Sequence, residues 1–314
     1  MPSPDEIVIE ARHLRKVFGA TVAVDALDLA IGRGETYGLV GPDGAGKTTT
    51  LRLLCGALPA TAGSAMILGF NVASQIDEVQ QRIGYVSQQF SLYPELTVDE
   101  NLSFRARAYG ISETDFKHRR EQLLAFTRLG RFRRRQARAL SGGMKQKLSL
   151  AAALLHEPEV VLLDEPTTGV DPVSRGEFWQ MLLSLAEQGT TFLVTTTYMD
   201  EAERCRRVGL LYEGRLLVED TPHEVRRLAG ITMLEVRCAP LVTGRKIAGS
   251  VQGVQWAELF GDRLHLAVEE ADIATSLERT LQNAEIQVSS IRQIQPGLED
   301  AFFEFVRRSR EALP

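Results

Sequence analysis

One stretch limits this chain more than any other: Gly41-Pro42-Asp43-Gly44-Ala45-Gly46-Lys47-Thr48-Thr49. It fits the phosphate-loop spacing G-x-x-x-x-G-K-[ST], with Gly41 and Gly46 at the glycine positions. The residues before it, Thr36-Tyr37-Gly38-Leu39-Val40, read as a buried strand, and Thr49 to Leu58 read as a helix. That strand–loop–helix context gives the spacing its meaning. The glycines let the backbone curl so that successive N–H groups converge on a polyphosphate. The helix beginning near Lys47 adds its positive dipole end. In such a loop Lys47 neutralises the β- and γ-phosphates, and the Thr48 hydroxyl ligates Mg²⁺.

Composition bounds the rest. At 314 residues there is room for two domains, and 44% hydrophobic with 25% charged residues describes a globular chain. Apolar runs such as Val160-Val161-Leu162-Leu163 are far too short to span a bilayer. The hexapeptide Met1-Pro2-Ser3-Pro4-Asp5-Glu6 lacks the basic and apolar regions of a signal peptide. A membrane role is therefore expected only through a partner. The three cysteines, Cys55, Cys205 and Cys238, are far apart and suit a reducing cytoplasm rather than disulfides or zinc. A net charge of −5 gives no pull toward nucleic acid, and none is expected as a partner. The basic run Arg131 to Arg138 reads as a solvated helix face.

In chain order, Ile7–Glu10 and Val22–Ile31 read as strands around a basic turn, Arg12 to Lys16. Phe18, beside Gly19, is either a purine-stacking aromatic or an ordinary turn residue. Ile83–Ser87 reads as a strand delivering Gln88 to a loop that runs to Leu96. Thr97 begins a polar helical block reaching Arg138, capped by Thr97 with acidic residues in its first turn. Leu140-Ser141-Gly142-Gly143-Met144 opens another helix with Ser141 as N-cap, a second anion-binding end that a second copy of the fold would have to reach. Val160 to Glu165 is an apolar strand ending in two carboxylates. Asp164 suits a Mg²⁺ partner, and Glu165 suits a general base acting on water. Gly169-Val170-Asp171 leads into the helix Val173–Gln188, and Thr191–Thr196 is the next strand. After Gly230 the elements run β-α-β-β-α-β, the split βαβ order of ferredoxin-like domains, followed by a helix from Leu298 to Arg308.

Taken together, the phosphate loop, Gln88, Leu140–Met144, Val160–Glu165 and Gly169–Asp171 resemble the nucleotide-binding subunit of an ATP-binding-cassette transporter. The resemblance covers roughly residues 5 to 230. It implies an α/β P-loop fold with a RecA-like core, an antiparallel β subdomain and an inserted helical subdomain at about 89–145, all within residues 1–230. Residues 231–314 then form a small α+β accessory domain. It also implies a head-to-tail pair of cassettes enclosing two ATP molecules. Each ATP would meet Gly41 to Thr49, Gln88, Asp164 and Glu165 of one chain. It would meet Leu140, Ser141, Gly142, Gly143 and Met144 of the other, with Gly169, Val170 and Asp171 beside them. Mg²⁺ would be held by Thr48, Gln88 and Asp164. Phe18 matches the adenine-stacking position, and the loop Gln88–Leu96 matches the segment that touches the membrane subunit.

The C-terminal extension and the run Tyr198-Met199-Asp200-Glu201-Ala202-Glu203 look most like the ABC-2 class of drug, antibiotic or polymer exporters. The cassette is similar to the first half of exporter ATPases that carry two. The resemblance thus implies an ATPase on the inner face of the plasma membrane, docked on a polytopic permease. The alternatives are a mechanical or ribosome-associated cassette protein, or a quiet ATP-binding partner cassette. Three positions depart from the pattern. Asp43 stands where Asn is usual, Met144 where Gln is usual, and Thr197 at the switch-histidine position. Thr has one hydroxyl, a shorter reach and no positive charge. Losing one transition-state contact of this kind costs roughly 2.7–4 kcal/mol.

Overall fold

The computed structural model describes residues 6–311. The N-terminal hexapeptide read for targeting therefore lies, except for Glu6, outside the described residues. The chain divides into two compact units between Thr221 and Pro222. The division precedes the expected boundary at 230/231 because the helix Pro222–Ala229 packs with the last helix. Arg308 Nη1 donates to Leu228 O at 3.4 Å, and its Nη2 donates to Ala229 O.

In the first unit, an antiparallel sheet has the order β2-β1-β4-β5. Its strands are β1 (Ile7–Phe18), β2 (Thr21–Gly32), β4 (Ala62–Ile67) and β5 (Phe70–Asn71). The basic stretch Arg12–Lys16 is part of β1 rather than a turn. Ala11 and Leu14 point into the core while Arg12 and Arg15 face outward, and irregular register between Ala11 and Leu14 absorbs the odd residue. The turn falls later, at Gly19-Ala20.

A second sheet has the order β10-β9-β3-β8-β7-β6. It comprises β3 (Thr36–Val40), β6 (Ile83–Val86), β7 (Val160–Asp164), β8 (Thr191–Thr196), β9 (Arg207–Tyr212) and β10 (Arg215–Asp220). All neighbours run parallel except the β9–β10 hairpin. β3, β7 and β8 are buried at every position, as expected of parallel strands covered on both faces. Val40 pairs with Thr196 and Asp164 with Thr195, so three strands end at one carboxyl edge.

The helices of this unit are α1 (Lys47–Leu54), α2 (Ile76–Gln80), α3 (Val98–Ala108), α4 (Glu113–Phe126), α5 (Gly142–Leu154), α6 (Pro172–Glu187) and α7 (Met199–Ala202). α1 starts two residues earlier than its sequence reading and stops at Leu54, because Gly56 turns left-handed at φ +70°. α3 carries the expected Thr97 cap as a full capping box with Glu100. α3, α4 and α5 share a core of Leu102, Phe116, Leu124, Leu148 and Ala152, separate from the core beneath the sheets. The basic run is mostly exposed, as read, but it forms 3₁₀ turns rather than a helix face. Arg133 pins it to α3 through Asp99 at 2.8 Å.

The second unit holds α8 (Pro222–Ala229), β11 (Thr232–Ala239), α9 (Leu241–Ala248), β12 (Val254–Phe260), β13 (Arg263–Val268), α10 (Ala274–Asn283), β14 (Gln287–Ile294) and α11 (Leu298–Glu311). Its antiparallel sheet has the order β12-β13-β11-β14. That is the interleaved order a split βαβ produces. α9 and α10 close over Leu234, Val236, Leu264 and Leu266 of the sheet, with Leu277 and Leu281 of α10 in the same core. Trp256 and His265 of the sheet bond to Glu304 and Asp300 of α11. Among the described residues no helix is long and apolar enough to cross a membrane.

Candidate nucleotide site

The loop from Gly41 to Gly46 leaves β3 and enters α1 at Lys47. Gly46 caps that helix at φ +105°, and a Cβ there would lie 2.4 Å from Ala23 O. Only glycine meets both demands. Lys47 is 4% exposed and its ammonium is fully engaged. It donates to Gly41 O at 2.8 Å and Pro42 O at 3.0 Å, and it pairs with Glu165 Oε1 at 3.0 Å.

Asp164 and Glu165 are consecutive, buried, and differently partnered. Asp164 Oδ1 accepts from Thr48 Oγ1 at 3.0 Å and from Thr195 Oγ1 at 2.9 Å, and Oδ2 accepts from Tyr85 OH at 3.4 Å. Burial, and then the Asp164 carboxylate, push the Tyr85 phenol up to about 12, so it stays a donor. Glu165 Oε2 accepts from Gln88 Nε2 at 3.1 Å and from Thr168 Oγ1 at 3.2 Å. Glu165 itself sits at φ +44°, an unusual conformation for a non-glycine residue. Its backbone N–H is held by Thr195, at 2.9 Å to Oγ1 and 3.2 Å to the carbonyl. Such a conformation costs about 1–3 kcal/mol and needs that kind of anchoring.

Lys47, Thr48, Gln88, Asp164 and Glu165 therefore form one bonded constellation at the sheet edge. Asp43 and Gly44 are exposed in the loop above it, and Thr49 is half-buried on α1. Ala45 is buried, and its carbonyl accepts from Gly214 N–H at 3.0 Å. Thr197 follows β8 directly, but no hydrogen bond among the described residues ties its side chain to the constellation.

The remaining predicted residues gather elsewhere. Ser141 caps α5 by accepting from Met144 N–H at 3.4 Å, and Ser141 and Gly142 are exposed. Gly143 is buried against α6, where an added Cβ would lie 2.6 Å from Ser174 Cβ. Asp171 caps α6 through Ser174 N–H at 2.9 Å, and a Cβ added at Gly143 would lie 3.5 Å from Val170 Cγ1. Leu140–Met144 and Gly169–Asp171 thus form one surface. No hydrogen bond or ion pair among the described residues joins that surface to the phosphate loop. Phe18, 47% exposed, closes β1 with Lys16 Nζ 5.0 Å from its ring centre.

Several residues with a part in this site were not singled out from the sequence. Thr195 holds the Asp164 carboxylate and the Glu165 backbone N–H, and its only signal is a polar pair ending an apolar strand. Asn101, 1% exposed, folds the loop after Gln88 by bonding to Tyr93, Leu96 and Thr97. Glu201 and Arg175 join the segment after β8 to α6. Nothing in their local pattern separates them from surface charges.

The site is one carboxylate paired to a hydroxyl beside a phosphate loop, and a second paired to the loop lysine and an amide. That arrangement suits nucleoside triphosphate binding with an ordered water. Residues 24–168 match the family profile described as ABC transporter. The chain is 43% identical over 224 residues to the probable multidrug ABC transporter ATP-binding protein YbhF of Escherichia coli, covering 71% of this chain but only 39% of that relative. It is 35% identical over 314 residues to the daunorubicin resistance ATP-binding protein DrrA2 of Streptomyces coeruleorubidus, covering 98% of this chain and 97% of that one. Among solved structures, the ATP-binding cassette MJ0796, dimeric in a post-hydrolysis state with ADP and Pi, is 29% identical with a TM-score of 0.61. The match covers 68% of this chain and 98% of that cassette. With an end-to-end relative at this identity, and with the phosphate loop, paired carboxylates and capped serine helix on one α/β unit, the chain belongs to the ABC transporter family as one of its ATP-binding cassettes.

Proposed function

We propose that this chain is the ATPase subunit of an ABC-2 type exporter, working as one of two cassettes docked on a polytopic membrane permease at the inner face of the plasma membrane. The observation that carries the reading is the division of labour between Asp164 and Glu165. Thr48 and Asp164 offer two hard oxygens 3.0 Å apart at the mouth of the phosphate loop, which suits Mg²⁺. Among the described residues no cluster of three His, Cys, Asp or Glu stands together as a metal site of its own. Mg²⁺ held there by Thr48 and Asp164 would offset the negative charge of the bound triphosphate. Lys47 and the loop N–H groups bind the triphosphate. Gln88 and Thr168 orient Glu165, which accepts the proton of the attacking water. Ser141 and Gly143 serve the nucleotide of the second cassette, and Phe18 stacks on the adenine.

The words multidrug ABC transporter in the name of YbhF and daunorubicin resistance in that of DrrA2 support export as the task. The dimeric MJ0796 cassette supports pairing. Thr197 gives the function its particular shape. With a short hydroxyl in place of the histidine, the site built on Lys47 turns over slowly, and a second cassette with a complete site carries most of the hydrolysis. The test is ATP turnover of the purified chain beside Thr197→His and Glu165→Gln. Low wild-type turnover that Thr197→His raises supports the degenerate site. Rapid wild-type turnover abolished by Glu165→Gln refutes that part and leaves a homodimeric motor. Co-purification with a polytopic membrane protein tests the exporter assignment.

A further inference from the structure

Glu201 is 1% exposed and its carboxylate has three partners on three segments. Thr167, two residues beyond Glu165, donates to Oε1. Thr196, the residue before Thr197, donates to Oε2 at 2.8 Å. Arg175 of α6 reaches Oε1 through Nε at 3.2 Å. The same guanidinium bonds to Asp200 Oδ2 at 2.9 Å and lies 4.4 Å from the Tyr198 ring centre. Residues 196 to 201 are thus fastened to the first turn of α6. Two residues further on, Glu177 pairs with Lys147 of α5 and with Arg128. Positions two apart on a helix point roughly 200° apart. So α6 holds the segment carrying Thr197 on one side and the Ser141 helix on the other, with Ser174 seated against Gly143 between them.

We propose that Arg175 and Glu201 are positioning residues that lock the segment after β8 to α6, so that nucleotide bound on this chain's phosphate loop sets the pose of the Leu140–Met144 and Gly169–Asp171 surface offered to the second cassette. The inference rests on the paired-cassette reading and adds the route within one chain. The route is a bonded two-ended strut rather than mere proximity. Arg175 supplies two hydrogen bonds and a ring contact, which a lysine cannot reproduce together. Glu201 accepts from all three segments and would leave the other two misaligned if one were released.

The experiment is carried out in a Glu165→Gln background so that hydrolysis does not blur binding. Nucleotide occupancy of the phosphate loop is read with a fluorescent ATP analogue, and association with Mg-ATP is read by analytical ultracentrifugation. Arg175→Lys and Glu201→Gln are expected to keep nucleotide affinity within about threefold while weakening ATP-driven dimerisation at least tenfold. The pair Arg175→Met with Glu201→Gln removes the buried charge mismatch. It is expected to recover melting temperature but not dimerisation, which a merely structural role would recover together. Unchanged dimerisation in folded, nucleotide-binding variants would overturn the inference. If the Glu165→Gln chain itself stays monomeric with its phosphate loop saturated, the pairing of this chain with itself fails first and the inference falls with it.

Discussion

Lys47 Nζ lies 3.0 Å from Glu165 Oε1, with both side chains buried. The loop's cation and the proposed base therefore hold each other. A polyphosphate on the loop competes with Glu165 for the ammonium, and a lysine drawn to phosphate releases one carboxylate oxygen. Binding and activation of the base are then two sides of one exchange.

Glu165→Gln removes the competing anion but keeps the bond to Gln88 within reach. ATP affinity is expected to hold or rise, while turnover falls by about two powers of ten or more, the usual scale for a lost general base. Equilibrium nucleotide binding and phosphate release measure the two. Lys47→Ala should do the reverse to binding, lowering ATP affinity at least about tenfold.

Gly143→Ala places a methyl 2.6 Å from Ser174 Cβ, a distance neither atom can yield without moving a helix. Overpacking of this kind costs about 1–3 kcal/mol. The melting temperature of the first unit should drop by several degrees, and ATP-dependent association should weaken. Nucleotide binding to the phosphate loop should persist, since Gly143 lies outside it.

His156 stacks on Tyr109 with centroids 3.9 Å apart and donates from Nε2 to Ile83 O at 3.0 Å. Its buried Nδ1 has no hydrogen-bond partner among the described residues. Burial, partly offset by that carbonyl, holds its imidazole below the ordinary value of 6.5. The folded state then favours the neutral ring, so below about 6.5 the unfolded chain binds the extra proton and stability is lost as pH falls. Urea unfolding at pH 7.5 and 5.5 should show that loss in wild type and a smaller one in His156→Gln.

Glu235, 3% exposed, accepts from Arg263 at 2.8 Å and from Arg292 at 2.9 Å. Those hydrogen bonds, Arg263 first and against the opposing effect of burial, hold its carboxyl at about 2. A depressed folded value means the contribution is complete above about 4.5 and disappears as pH falls toward 2. Trp256 fluorescence in a Trp179→Phe background should report acid unfolding of the second unit across that interval. Glu235→Gln should flatten the response.

Much of this was legible because the signals were local. β3 and β8 appear with the bounds read from the sequence, and Thr97 and Ser141 cap helices by rules that span three residues. The basic stretch Arg12–Lys16 misled because a charged run imitates a turn when an irregular strand puts every charge outward. Thr195, Asn101 and the Arg175–Glu201 lock escaped because their partners lie 26 or more residues away, or on backbone carbonyls of a loop. No window-length pattern carries that information. The position of α8 escaped for the same reason, its attachment being to Arg308.

The left-handed backbone at Glu165 changes the parity of the strand it ends. Along an extended chain, neighbouring side chains diverge to opposite faces. Here the reversal lets consecutive carboxylates reach consecutive residues of α1, Asp164 to Thr48 and Glu165 to Lys47. The two acids are thus sorted by a bend rather than by distance along the sequence. Their order is not interchangeable: exchanging Asp164 and Glu165 would keep the charge and the composition yet place each headgroup at the wrong depth for its role.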